Sequence, residues 1–196
     1  KRTVKAIEAL QRFDGGYGYW RSDSCSSPHG SAYAVLALGR AAEVGYRVDA
    51  DGLKRAQRYL GTVADGQAGT CSMWWREIDP GTRAFALYAL ARTGAPRTSS
   101  AGALYAKRAD LPFWGKAMLA DALALGKGDG AQVKQLTSEL FDRAKETAAG
   151  LHLEELNAVT LQSDWSTDVR TTAIALQTLV DVTPDHPYVG KMARYL

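Results

Sequence analysis

Four segments of this chain are apolar around most of their circumference, and they constrain the fold more than any other feature. They lie at 31–38, 82–90, 114–123 and 171–179, and each combines a high alanine content with larger apolar residues at helical spacing. A helix that is apolar all round must be buried on most of its sides, and alanine lets neighbouring helices approach closely. The pattern therefore predicts four inner helices that share one core.

Amphipathic segments alternate with these apolar ones. Residues 51–63 and 131–147 each place apolar side chains on one stripe and charged side chains elsewhere, as half-exposed helices do. An alternation of buried and half-exposed helices at a spacing of roughly 30–50 residues is typical of stacked helical hairpins. Such hairpins form either an open solenoid or an α/α toroid whose inner helices surround a common axis. Four strongly apolar inner helices favour the toroid, because the helices on the concave side of a solenoid usually remain exposed to solvent.

One stretch departs from the helical rhythm. Residues 148–163 alternate apolar and polar side chains over short distances, which predicts a short β-hairpin-like excursion with Asn157 near its turn. The fold class expected from the sequence is therefore all-α, an α/α toroid of helical hairpins with this single excursion.

Composition narrows the functional classes. The chain has 196 residues, of which 46% are hydrophobic and 23% charged, and its formal net charge is +3. No run of five like charges occurs, so neither nucleic acid nor an anionic membrane is an expected partner. No apolar run approaches 18 residues, so no membrane span is expected. We expect a single domain over 1–196 that is a piece of a larger protein, since the chain starts at Lys1 and enters an amphipathic pattern almost at once.

The stretch 11–20 is the most specific motif in the chain. Its three glycines permit a tight turn with positive φ after the first helix, and its aromatic residues are expected to bring apolar area onto neighbouring helix ends. It lacks the GxxxxGK[ST] pattern of a phosphate loop. We predict a structural clamp between hairpins, and a ligand-facing aromatic platform is the alternative. The predicted clamp comprises Gly15, Gly16, Tyr17, Gly18, Tyr19 and Trp20.

The same stretch carries a family resemblance. Its Gln-x-x-Asp-Gly-Gly, followed by an aromatic residue and Trp, resembles a repeat of terpene cyclases, protein prenyltransferase β-subunits and thioester domains of the macroglobulin and complement family. All three are α/α toroids. The ordered succession of motifs from residue 11 to residue 176 is most similar to the thioester-domain region of bacterial α2-macroglobulins, with the N-terminal part of that domain lacking.

The resemblance implies a function without catalysis. It implies a scaffold domain in a broad-spectrum protease inhibitor of the periplasm or cell envelope, whose partners are neighbouring macroglobulin domains and target proteases. It implies no cofactor and no metal. Active members of the family carry a Cys-x-Glu-Gln thioester segment, but here Cys25 is followed by Ser-Ser-Pro and Cys71 by Ser-Met-Trp. No catalytic residue is therefore predicted in this chain.

An enzyme of the terpene cyclase or prenyltransferase type is the alternative. The cyclase acid motif Asp-x-Asp-Asp is matched only in part, by Asp49-Ala-Asp51-Gly. The Asp-x-Cys pair of the prenyltransferase zinc site is matched by Asp23-Ser-Cys25, but no histidine lies at the separation that this family shows. The three histidines of the chain are expected in loops or at the surface.

Two further features concern the loops that lead into inner helices. In the oxidising compartment that the resemblance implies, Cys25 and Cys71 are predicted to form a disulfide. The cluster of Met73, Trp74 and Trp75 is expected either to cap the open end of the toroid or to contact a neighbouring domain.

Overall fold

The computed structural model describes residues 2–67, 78–155 and 167–196, and these residues are mainly helical. A short 3-10 turn, Arg108–Asp110, and two strands, β1 (Lys145–Thr147) and β2 (Gly150–His152), accompany the helices. The helices are α1 (Arg2–Glu8), α2 (Pro28–Glu43), α3 (Ala50–Ala64), α4 (Pro80–Arg92), α5 (Thr98–Tyr105), α6 (Phe113–Leu125), α7 (Gly130–Phe141), α8 (Asp168–Val182) and α9 (Tyr188–Tyr195). The predicted all-α class with one small hairpin is confirmed.

The four predicted inner segments form α2, α4, α6 and α8, which are neighbours in that order. Their N-terminal turns all lie at one end of the bundle, so the four helices run parallel. There the ring of His29 on α2 contacts Phe85 on α4 and Trp114 on α6, and the guanidinium of Arg170 on α8 lies over the Trp114 ring. This end is called the N-terminal end of the bundle, and the opposite end the C-terminal end.

The remaining helices pack outside the inner ones. Helix α3 packs against α2 and α4, α5 against α4 and α6, α7 against α6, and α9 against α8 and β2. The main core lies among α2 to α6 and their outer helices, and a smaller core joins α8, α9 and β2. This alternation of inner and outer helices is the predicted hairpin arrangement. In the described part of the chain no helix is long and apolar enough to cross a membrane.

Burial differs among the inner helices. Nine of the thirteen residues of α6 are buried, but only five of the fifteen residues of α8. Helix α6 packs extensively against both α4 and α8, whereas α8 packs extensively against α6 alone among the inner helices and meets α2 and α4 through single polar contacts near its ends. The expectation of burial all round is therefore correct for α4 and α6 and wrong for α2 and α8. Tyr33 on α2 and Val180 on α8 are 51% and 44% exposed.

Side chains fix where the inner helices begin. The Ser27 hydroxyl accepts from the Gly30 amide at 3.1 Å, the Asp79 carboxylate from Thr82 at 2.8 Å, and the Thr167 hydroxyl caps α8 in the same way. Such side chains replace the partners that the first amides of a helix lack.

The first turn of helix α6 is capped by a residue that lies far from it in the sequence. The carboxylate of Glu155 accepts from the amides of Phe113 at 3.1 Å and Trp114 at 3.4 Å, and from the Thr171 hydroxyl at 3.2 Å. A carboxylate at a helix N-terminus is also favoured by the helix dipole. Glu155 therefore ties the first turns of α6 and α8 together.

The β-hairpin is confirmed but shifted. Strands β1 and β2 pair antiparallel, with Lys145 opposite His152, so pairing begins three residues before the expected 148–163 stretch. The outer helix predicted over 131–147 ends at Phe141 for the same reason. Asn157 lies outside the described residues.

The turn glycine positions this hairpin. Gly150 has φ 141°, which favours glycine, and an added Cβ would lie 2.5 Å from the Lys191 carbonyl oxygen of α9. The β2 backbone therefore sits directly against α9.

Candidate functional site

The features singled out in the sequence belong to the loops that enter the inner helices, so they concern the N-terminal end of the bundle. The loop 11–27 is described completely and enters α2. Cys71, Met73, Trp74 and Trp75 lie outside the described residues. The disulfide between Cys25 and Cys71 and the interdomain contact at 73–75 therefore stay predictions.

The glycine motif makes a tight hairpin turn. The Arg12 amide donates to the Gly16 carbonyl at 2.8 Å, and the Gly18 amide donates to the Leu10 carbonyl at 3.1 Å. Gly15 has φ 94°, and an added Cβ would lie 2.6 Å from the Arg55 carbonyl oxygen of α3. The turn therefore requires glycine for its backbone and for its close approach to α3.

Tyr17 joins this turn to α2. Its side chain is buried, its amide donates to the Ser31 hydroxyl at 2.8 Å, and its carbonyl accepts from the Ser27 amide at 2.8 Å. Burial raises the pKa of the Tyr17 phenol to about 12. The side-chain amide of Gln11 adds a link to α3 by donating to the Gly52 carbonyl at 2.7 Å.

Of the glycines in this turn, Gly16 is enclosed most tightly. A Cβ there would lie 2.5 Å from the Ser26 Cβ and 2.7 Å from Cε1 of Tyr59 on α3. These contacts join the turn to α2 and α3 at Gly15, Gly16 and Tyr17, and the clamp itself stays a prediction.

Tyr19 and Trp20 are more exposed than Tyr17. Their side chains are 57% and 72% exposed, but Cε1 of Tyr19 still lies 3.4 Å from where a Cβ would stand at Gly30, in the first turn of α2. Polar groups hold this part of the loop at the surface: the Trp20 amide donates to the Asp23 carboxylate at 2.8 Å, and the Trp20 carbonyl accepts from the Arg12 guanidinium. These two side chains leave the alternative of an exposed aromatic platform open.

An aromatic cluster occupies the axis at the same end. His29 lies 5.0 Å from Phe85 and 6.2 Å from Trp114 between ring centroids, and Tyr33 lies 4.6 Å from Phe85. The guanidinium of Arg170 lies 4.5 Å from the Trp114 ring centroid and donates to the Tyr33 hydroxyl at 3.5 Å. These five residues, called the axial aromatic cluster, connect all four inner helices.

His29 is held neutral in this cluster. Burial lowers the pKa of its imidazole to about 4, and the nearby Arg170 lowers it further while Asp79 opposes the change. Its Nδ1 is buried and has no hydrogen-bond partner among the residues that the structure describes. A charged imidazole would therefore stand beside a guanidinium without an acceptor of its own.

The expected placement of the histidines is therefore wrong in two cases. His29 lies in the first turn of α2, and His152 lies in β2, buried and stacked on Tyr195 at 4.5 Å. Ser27-Pro28 before His29 is a helix-start signal that places His29 and Tyr33, four residues apart, on one helix face.

In the described ranges no group of three or more His, Cys, Asp or Glu side chains is placed to hold a metal ion. A cleft of about 390 Å³ beside Tyr19 is lined mainly by the serines of the loop 22–27, with Asp23 and Cys25.

The clamp predicts a sharp contrast between two substitutions in one loop. Gly16→Ala should lower the free energy of unfolding by about 1–3 kcal/mol, because its methyl group has no room beside Ser26 and Tyr59. Trp20→Ala should change it by less than about 0.5 kcal/mol, because its side chain is mostly exposed. Urea denaturation measures both, and a neutral Gly16→Ala would contradict the clamp.

The lowered pKa of His29 predicts that the folded chain loses stability in acid. Its folded pKa of about 4 lies below the ordinary 6.5, so its contribution is complete above pH 6.5 and is lost as the pH falls toward 4. The loss should amount to about 3 kcal/mol at most. His29→Phe should remove this part of the pH dependence, measured as the difference in unfolding free energy between the variant and the native chain at pH 7 and pH 4.5. A difference that stays constant with pH would contradict the buried neutral imidazole.

Comparison with solved structures identifies what this arrangement is similar to. Native alpha-2-macroglobulin from Escherichia coli, in a structure from domain MG7 to the C-terminus, superposes with a TM-score of 0.77 at 18% identity, covering 98% of this chain and 29% of that one. The trypsin-activated Escherichia coli protein gives 0.76 at 19% identity, with 98% and 13% covered. Salmonella alpha-2-macroglobulin reacted with methylamine gives 0.76 at 20% identity, with 96% and 12% covered.

These matches are structural. The sequence matches no protein-family model and no curated protein. The chain spans less than a third of the length of each of these three structures. The resemblance read from the sequence is confirmed at the level of the fold: the chain has the fold of a region of bacterial alpha-2-macroglobulins.

Proposed function

We propose that this chain is a non-enzymatic scaffold domain of an alpha-2-macroglobulin-like protease inhibitor of the bacterial envelope, in the region of its thioester domain. The observation that supports this proposal most is the likeness of fold, over 98% of the chain, to a part of a much larger bacterial alpha-2-macroglobulin. Neighbouring domains of the same parent chain and the target protease are the partners that this proposal implies.

The distribution of polar groups supports a scaffold. The hydrogen bonds of the predicted clamp and of the Glu155 cap join helices to one another, and the axial aromatic cluster joins all four inner helices. A domain of this kind transmits movement between neighbours through its N-terminal end, because several helices are joined to one another there.

The cyclase alternative is disfavoured by the chemistry of its best motif match. Asp49 is the N-cap of α3, and its carboxylate accepts from the Asp51 amide at 3.1 Å. Backbone hydrogen bonds, that with Gly52 first, lower the pKa of Asp49. A general acid needs the opposite shift, since it must carry a proton to deliver.

Covalent capture is not part of this proposal for the chain itself. Its sequence holds no Cys-x-Glu-Gln segment, and Glu-Gln occurs nowhere in it. The proposal concerns entrapment and conformational change, in which this domain supplies structure and surface.

A protease-protection assay on the protein that carries this chain tests the proposal. After incubation with trypsin or porcine elastase, cleavage of a large protein substrate should fall strongly, while cleavage of a small chromogenic peptide should persist, because a trapped protease still admits small molecules. The isolated 196-residue chain is the matched control and should protect neither substrate.

Two outcomes would contradict the proposal. Equal loss of both activities would indicate a blocked active site rather than entrapment. Inhibition by the isolated chain would show that it is an inhibitor in its own right and not a scaffold.

A further inference from the structure

A groove opens at the C-terminal end of the bundle, opposite the axial aromatic cluster. It has a volume of about 520 Å³ and lies between α2 and α8, with α4 as its floor. Its lining residues are Leu36, Arg40, Glu43, Tyr88, Arg92, Thr93 and Gln177.

A buried carboxylate lies next to this groove. Asp121 on α6 is 1% exposed, and its Oδ1 has no hydrogen-bond partner in the structure. Its Oδ2 lies 3.4 Å from the Thr178 hydroxyl of α8 and 3.7 Å from the Arg92 guanidinium of α4. The Thr178 hydroxyl has a closer acceptor in the Ala117 carbonyl at 3.1 Å, so Asp121 is poorly compensated.

The one arginine beside Asp121 is shared with a second carboxylate. Arg92 forms its closer ion pair with Asp181 on α8, which also accepts from the Gln177 side chain at 3.0 Å. The Nε atom of Arg92 is buried and has no partner in the structure. With both carboxylates ionised, two negative charges from two helices therefore compete for one guanidinium.

Other charged and titratable groups near the groove do not relieve this competition. On α2, Arg40 pairs with Glu43 at 2.9 Å, and both side chains are more than half exposed. On α4, Tyr88 lies under the Arg92 guanidinium at 5.3 Å.

The outer helices packed on α6 bring no cation to Asp121 either. Helix α5 carries no charged residue. On α7, Lys134 is exposed, and Glu139 is engaged by Lys116 and Arg108.

We propose that Asp121, Arg92 and Asp181 form a proton-operated latch between α6, α4 and α8 at this groove. When Asp121 takes a proton from solvent, its charge is neutralised and Arg92 pairs with Asp181 alone, which tightens α4 against α8. When Asp121 returns the proton to solvent, Arg92 is divided between two carboxylates and the link between α4 and α8 loosens.

The latch works in the mildly acidic range. Burial raises the pKa of Asp121 to about 6, against the lowering effects of Arg92 and Thr178. Because this folded pKa lies above the ordinary value of 3.8, the contribution of Asp121 to stability is greatest below pH 4 and is lost as the pH rises through 6. The difference between the folded pKa of about 6 and the ordinary value of 3.8 corresponds to a change of about a hundredfold in the unfolding equilibrium constant.

The first test follows the proton directly. Carboxyl ¹³C NMR of the folded chain should show the Asp121 carbon titrating near pH 6. In Asp181→Asn, which frees Arg92 for Asp121, the midpoint should fall. A native midpoint near 4, or a midpoint that Asp181→Asn leaves unchanged, would overturn the latch.

The second test measures the consequence for stability. Between pH 7.5 and pH 5 the unfolding equilibrium constant of the native chain should decrease by about tenfold relative to that of Asp121→Asn. His29 is present in both proteins, so its own acid dependence cancels. An identical pH dependence in the two proteins would overturn the proposal, and the NMR titration of the native chain decides the matter if the variant does not fold.

Discussion

The packing of α4 against α6 is the contact on which the rest of the structure depends. Alanines at 84, 86 and 89 of α4 and at 120 and 122 of α6 are almost completely buried in the main core, and such small side chains let two helices approach closely. Gly81 extends this approach, because a Cβ at that position would lie 2.7 Å from the Trp114 ring. The outer helices α5 and α7, the flanking inner helices α2 and α8, and the axial aromatic cluster are all arranged around this pair.

The polar groups inside the bundle divide into two kinds. At the N-terminal end, Glu155 is satisfied by two amides and a hydroxyl and fixes the register of α6 and α8. At the C-terminal end, Asp121 is buried with one oxygen unpartnered and with only a shared arginine for its charge. A fully satisfied buried polar network rigidifies a core, while a buried carboxylate without full compensation takes up a proton more readily because burial disfavours its charge. The same set of helices therefore has one fixed end and one adjustable end.

Most of the fold, but less of the site, could be predicted from the sequence. The inner helices were predictable because alanine-rich, apolar segments have few other solutions, and the glycine turn was predictable because Gly15 adopts a positive φ within a local turn. The close approach of Gly16 to Tyr59 of α3 has no such local signal. The exposure of Tyr19 and Trp20 was not predictable from their apolar character, since hydrogen bonds of the Trp20 backbone with Arg12 and Asp23 of the same loop hold this segment at the surface. The axial aromatic cluster and the Asp121 latch join residues from three or four helices, and sequence spacing carries no signal for such contacts. Family resemblance supplied the functional proposal, and the fold supports it through structures that share 18–20% identity with this chain.

Native-state hydrogen exchange, resolved by helix, tests whether the α4–α6 pair is the core of the bundle. The slowest amides of α4 and α6 should exchange only through global unfolding, with the same free energy as chemical denaturation. Helices α2 and α8, which are half exposed, should exchange faster through local opening. Equal protection across all four inner helices, or greater protection in α2 and α8, would contradict this role of the α4–α6 pair.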